Sequence, residues 1–236
     1  MYGQFFILFG LILVGYYCNK KGYLPMETNK NVGNMVMRVT IPAMLITTIA
    51  GIEITDRVLK AFLFSAAGQA AMMVVFGFLM RQYGRKRGLD SRLLPMLDLT
   101  AGSLNTGFIG LPVTMIFFGQ AGIIYMSAGV LALNLYLWSY GVYLISDKKA
   151  TGAAAIGKSF LQGAINPNCI SILLGLLLAV THTARFVPTV VLGFLTKVGD
   201  LSTPLSLIYI GALAGGSGIV QLFKEKTALE ISVVKM

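Results

Sequence analysis

Few residues in this sequence could do chemistry, and their spacing narrows the chemistry further. There is one histidine, His182, and two isolated cysteines, Cys18 and Cys169. The sequence lacks a Ser-His-Asp set, a zinc-ligand spacing, a P-loop and a dinucleotide fingerprint, so no enzymatic activity, metal or cofactor is expected. The cysteines read as packing residues. What remains is a run of polar and helix-breaking residues: Gly102-Ser103-Leu104-Asn105-Thr106-Gly107-Phe108-Ile109-Gly110-Leu111-Pro112. It lies in the middle of an apolar stretch. Pro112 cannot donate a backbone hydrogen bond and disfavours helix at Leu111 before it. Gly107 and Gly110 let the chain leave helical geometry at little steric cost. A broken helix in hydrocarbon survives only where protein or a wet cavity covers its freed backbone groups. Its half-helix ends then supply partial charges, the N-terminal one attracting anions. The chemistry on offer is therefore binding, with Ser103, Asn105, Thr106, Gly107, Gly110 and Pro112 as candidate contacts.

Other polar residues in apolar stretches are Gln69, Asn134 and Asp98. Gln69 and Asn134 either face the same cavity or hydrogen-bond between helices. Asp98, an intramembrane carboxylate, is a candidate for coupling to a proton or cation. Five basic residues precede it, so a local ion pair is the competing reading. His182 reads as interfacial. Trp138, Tyr140 and Tyr143 read as interface anchors.

The elements that must position these residues follow from composition. Of 236 residues, 56% are hydrophobic and 12% charged, with a mean hydropathy of +0.77. A soluble chain carries about 25% charged residues, so lipid must cover this one. The net charge of +10 is clustered between apolar runs without an aromatic platform, which is membrane topology and not nucleic-acid binding. Seven spans are predicted, at about Gln4–Cys18, Met35–Ala50, Val58–Met80, Leu94–Phe118, Gly122–Ile145, Pro167–His182 and Pro204–Leu222. An amphipathic helix carrying Val190, Val191, Phe194, Leu195 and Val198 is predicted at the outer interface, with Lys197 and Asp200 on its other side. Asn166-Pro167 and Thr203-Pro204 look like helix starts. With 14 basic residues in one set of loops and 4 in the other, the N-terminus is expected outside the cell membrane and the C-terminus in the cytoplasm.

An internal repeat is also visible. Gly10-Leu11-Ile12-Leu13, Pro25 and Pro42 recur as Gly175-Leu176-Leu177-Leu178, Pro188 and Pro204. By the charge rule the two copies enter the membrane from opposite sides, an arrangement that recurs in secondary transporters. The expected division is a first five-helix repeat over 1–150, a partial inverted second repeat over 151–222 and a cytoplasmic tail over 223–236.

The run from Asn105 to Pro112 resembles the NxGFxGxP signature of the auxin efflux carrier family. Asn166-Pro167-Asn168 with Gly175 is similar to that family's sixth span, and Pro204-Leu205-Ser206-Leu207-Ile208 with Gly211-Ala212 to its seventh. The resemblance implies an all-α polytopic secondary transporter. Such a carrier moves a small organic anion, a dicarboxylate or auxin-like acid, by alternating access. It also implies ten spans in two inverted repeats, broken helices that cross near the membrane centre, Pro112 as a crossing proline and Asn105 as a pocket residue. Spans three to five would rock against spans one, two, six and seven. The repeat offset carries the partner of Pro112 beyond Met236, so the chain is expected to be C-terminally truncated. Membrane lipid and a homodimer are the expected partners. The alternative is a non-transporting remnant, a regulatory subunit or an oligomeric pore.

Overall fold

The computed structural model describes residues 2–91, 93–145 and 165–216, and every regular element among them is helical. The basic residues Lys148, Lys149 and Lys158, the tail, and the Trp138 side chain lie outside the described residues. Helix α1 spans Tyr2–Lys20. Helix α2, Met26–Met35, passes through a π segment, Val36–Thr40, into α3, Ile41–Ala50. Helix α4 covers Asp56–Lys86, and α5 covers Leu94–Gly102. A second π segment, Thr106–Gly110, leads into α6, Leu111–Tyr136. A third, Leu137–Gly141, leads into α7, Val142–Ile145. Helices α8, α9 and α10 are Pro167–Val180, Thr189–Asp200 and Ser202–Gly216.

Four of the helical runs are long and apolar enough to cross a membrane: Met26–Ala50, Asp56–Lys86, Leu94–Gly141 and Thr189–Gly216. Helix α4 shows most plainly what solvent the fold expects. Its 31 residues are the most apolar of the four runs, yet only 17% of its most apolar window is buried. Phe64 on this helix is 83% exposed. Such a surface is stable only against lipid. At about 1.5 Å per residue α4 is also longer than a hydrocarbon core of roughly 30 Å. Its charged ends, with Asp56, Arg57 and Lys60 at one and Arg85 and Lys86 at the other, provide the excess.

Two refinements of the predicted spans emerge. The run Leu94–Gly141 is not one rod, because Gly119 has φ 62 and ψ −157. A Cβ on Gly110 would lie 2.9 Å from the Met126 sulfur, whereas a straight helix would hold these residues about 24 Å apart. The chain doubles back at Gly119, between the predicted ends at Phe118 and Gly122. The second refinement concerns the helix expected flat at the outer interface. Helix α9 exists but continues through the single residue Leu201 into α10, giving the 28-residue run Thr189–Gly216. Pro204 does not stop it, since a proline in the first turn has no intrahelical bond to lose.

Two sets of helices pack together. Helix α1 lies along α10, α2 also meets α10, and α3 holds both α8 and α9. Glycines bring these backbones close. A Cβ on Gly15 would run into the Ile208 carbonyl oxygen, and one on Gly199 would lie 2.8 Å from Met44 Cα. Small residues at helix contacts are how membrane helices gain packing without a hydrophobic drive. The second set is α4 with α5 and α6. One core of Val36, Ile41, Leu45, Ile49, Leu111, Ile123, Ile124 and Ile172 joins the two sets.

Candidate functional site

Helix α5 ends at Gly102, and the next three residues leave helical geometry. Ser103 is extended, with φ −72 and ψ 108, and its Oγ donates to the Leu99 carbonyl at 2.5 Å. The Ser103 N–H donates to the same carbonyl at 2.8 Å. One residue thus closes the last turn of α5 twice over. Asn105, with φ −79 and ψ 68, caps the next segment, its Oδ1 accepting from the Phe108 N–H at 3.1 Å. The Asn105 carbonyl then accepts from the Gly110 N–H at 3.0 Å, the five-residue spacing of a π turn. The break therefore lies at 103–105, upstream of the glycines and proline expected to cause it. Pro112 sits in the first turn of α6, where its missing donor costs little.

Several groups hold this break in place. The Phe108 ring stacks on Tyr209 of α10, with centroids 4.6 Å apart. Gly107 is buried, and a Cβ there would lie 3.4 Å from the Met37 sulfur, so the two π segments touch. Thr106 is buried with its Oγ1 lacking a protein partner. Asn105 and Ile109 are exposed, Ser103 and Gly110 are half-buried, and Pro112 is buried. A polar, capped interruption thus presents Asn105 outward from a buttressed base.

The remaining predicted residues divide among three places. Gln69 lies one turn from Ser65 and donates to its Oγ at 3.0 Å. It also packs over Gly129, whose missing side chain gives its amide room. Ser65 and Gln69 line a cleft of about 440 Å³ between α4 and the two arms of α6, with Thr114, Phe118, Gly122, Tyr125 and Met126. Met126 touches Gly110, so this cleft adjoins the end of the π segment that follows the break. Its volume suits a small organic molecule. Asn134 does not reach the cleft, because its Nδ2 donates to the Val130 carbonyl of its own helix at 2.8 Å.

Asp98 is 0% exposed and sits apart from the break, where Arg81 Nη1 approaches it at 3.8 Å. Tyr140 donates to its Oδ2 at 3.0 Å. Its Oδ1 and the Tyr136 hydroxyl lack partners. Both lie within about 3 Å of where a Gly77 Cβ would be, so only glycine fits beside them. The arrangement ties α4, α5 and the end of α6 together.

Ser65, Thr114 and Tyr125 did not stand out in the sequence. The four-residue spacing of Ser65 and Gln69, one face of a helix, was the available signal.

Comparison with known proteins agrees with this architecture. An uncharacterized transporter from Methanothermobacter thermautotrophicus is 26% identical over 204 residues. The match covers 85% of this chain and 64% of that relative's length. The membrane transport protein family matches residues 1–236, the whole sequence. With its lipid-facing helices and a capped break inside an apolar run, this chain belongs to the membrane transport protein family.

Proposed function

We propose that the chain carries the binding half of a secondary transporter for a small organic anion, such as a dicarboxylate or auxin-like acid. The observation that carries this reading is the capped break at Ser103–Asn105. Backbone freed inside an apolar run is costly unless a ligand cavity or protein receives it. Here the π segment that follows it is buttressed by Phe108–Tyr209, and its last residue, Gly110, meets Met126 in the wall of a cleft of about 440 Å³. The N-terminal end of the second half-helix supplies the positive partial charge that an anion seeks.

Seven passes with the N-terminus outside form the proposed topology, and two features support an inverted repeat within it. In each copy a shorter helix precedes a longer one that starts after a proline and carries another inside: α1 before Met26–Ala50, and α8 before Thr189–Gly216. Packing is also exchanged between copies, α1 lying on α10 and α8 on α3. That reciprocity is what a two-fold relation produces. In this proposal α1–α3 and α8–α10 form the static wall, and α4–α6 move against it. Asp98 serves as the tie that keeps the moving helices together.

The test is ligand-induced stabilisation of the purified chain across a panel of dicarboxylates and aromatic acids. At least one anion should raise the melting temperature of the wild type and have far less effect on Asn105→Ala. An unchanged response in Asn105→Ala would remove the break from the binding site.

A further inference from the structure

An apolar groove of about 370 Å³ runs between α4 and the end of α6, separate from the cleft beside Gln69. Ala66, Ala67, Ala70 and Val74 form one wall, with Leu131 and Leu135 opposite. We propose that this groove holds an acyl chain of one anionic phospholipid, whose phosphate is bound by Arg81 and Arg85 beyond the groove's end. The site is independent of the break at 103–105 and of any transport role.

The chemistry of the walls is the first support. Three alanines leave a trough along two turns of α4, about 12 Å from Ala66 to Val74. The three hydroxyls in the lining are engaged or buried elsewhere. Ser139 donates to the Leu135 carbonyl, Tyr140 donates to Asp98 Oδ2 at 3.0 Å, and the Tyr136 hydroxyl is buried beside Gly77. A polar ligand would find no free partner in the groove, whereas hydrocarbon needs none. Ala67 and Val74 are exposed, so the groove opens on the lipid-facing side of α4.

The charges that follow the groove are the second support. Arg81 comes seven residues after Val74, two turns and about 10 Å further along the same face of α4. Tyr140 joins the two places, since it lines the groove and bonds Asp98, which Arg81 Nη1 approaches at 3.8 Å. That one long contact leaves most of the guanidinium unused: Arg81 Nε has no acceptor, and the side chain is 30% exposed. Arg85, one turn further, is exposed and makes no ion pair among the described residues. Phosphate oxygens are what guanidinium groups bind best, and basic residues between membrane helices select anionic headgroups. A zwitterionic lipid would bring its own ammonium to the same arginines.

The lengths also agree. An acyl chain spans half a hydrocarbon core, about 15 Å, or about ten residues of helix. Counted back from Arg81, that reaches the level of Ala70, inside the groove. A lipid seated in this way would fasten the end of α6 to α4 beside the Asp98 cluster.

Native mass spectrometry of the purified chain, titrated with phosphatidylglycerol and phosphatidylcholine of matched acyl chains, tests this. One phosphatidylglycerol should be retained with about tenfold preference over phosphatidylcholine. Ala67→Phe puts a ring into the groove without touching a charge and should weaken that retention about fivefold. Val75→Phe, on another face of α4, should leave it unchanged. Arg85→Gln should remove most of the preference for phosphatidylglycerol. Arg81→Gln paired with Asp98→Asn, which leaves no carboxylate buried without its cation, should do the same. Circular dichroism would verify the fold of each variant. Wild-type retention in Ala67→Phe or Arg85→Gln, or no preference in the folded wild type, overturns the site. Displacement of the lipid by an equimolar amount of soluble glycerol 3-phosphate would overturn it too, because the groove would then hold no chain.

Discussion

The two π segments are the same device with different outcomes. Val36–Thr40 precedes Ile41-Pro42, and Thr106–Gly110 precedes Leu111-Pro112. In both, a proline in the first turn follows a five-residue π turn whose next N–H bonds five residues back, Ile41 to Val36 and Leu111 to Thr106. Upstream they diverge. Met26–Ala50 stays helical throughout, while the chain before Thr106 is extended and capped. Proline alone, then, yields a widened turn inside a continuous helix. A break requires residues that close one helix and open the next, which Ser103 and Asn105 do.

Substitutions can sharpen this contrast, beginning with its shared core. Ile41 and Leu111 are 1% and 0% exposed, and each packs in the same cluster. Ile41→Ala and Leu111→Ala should each cost about 2–5 kcal/mol in a reversible unfolding titration. Unequal losses would mean that the two regions are not packed alike. Gly107→Leu comes next. Its side chain would run into Met37 and separate the two π segments, at a cost of about 1–3 kcal/mol. Gly107→Ala should be tolerated, because 3.4 Å is an ordinary contact.

Asn105→Ala removes a cap worth about 1 kcal/mol. Amide exchange over 106–110 should accelerate roughly fivefold, with little change over 36–40. Equal acceleration at both π segments would erase the distinction drawn here. Proline gives the smallest effect. Pro112→Ala should leave 104–105 unprotected from exchange, and Pro42→Ala should leave Met26–Ala50 continuous. Protection gained at 104–105 in Pro112→Ala would hand the break back to the proline.

Much of the fold was legible because lipid imposes a simple code. Long apolar runs marked α4 and the Leu94–Gly141 hairpin, and Asn166-Pro167 marked the start of α8, where Asn166 Oδ1 accepts from the Asn168 N–H at 2.9 Å. The position of the break was less legible. Proline and glycine are the loudest helix breakers in a sequence, yet Pro112 falls where a helix tolerates it, so the interruption moved to the quieter Ser103 and Asn105. The α9–α10 continuity was hidden for the same reason, through Pro204. Gln69 and Asn134 look alike as uncharged polar residues in spans. Only packing shows that one faces the cleft and the other bonds its own helix.

Cysteine accessibility tests the central claim most directly, that the break at 103–105 is an open binding surface whereas the start of the first π segment, at the fully buried Val36, is closed. In a chain with Cys18→Ser and Cys169→Ser, Leu104→Cys and Val36→Cys would be treated with a water-soluble thiol reagent, with and without the best-binding organic anion. The account predicts rapid modification of Leu104→Cys, slowed by the anion, and little modification of Val36→Cys. Equal modification at the two positions, or labelling at Leu104→Cys that the anion does not slow, would contradict it.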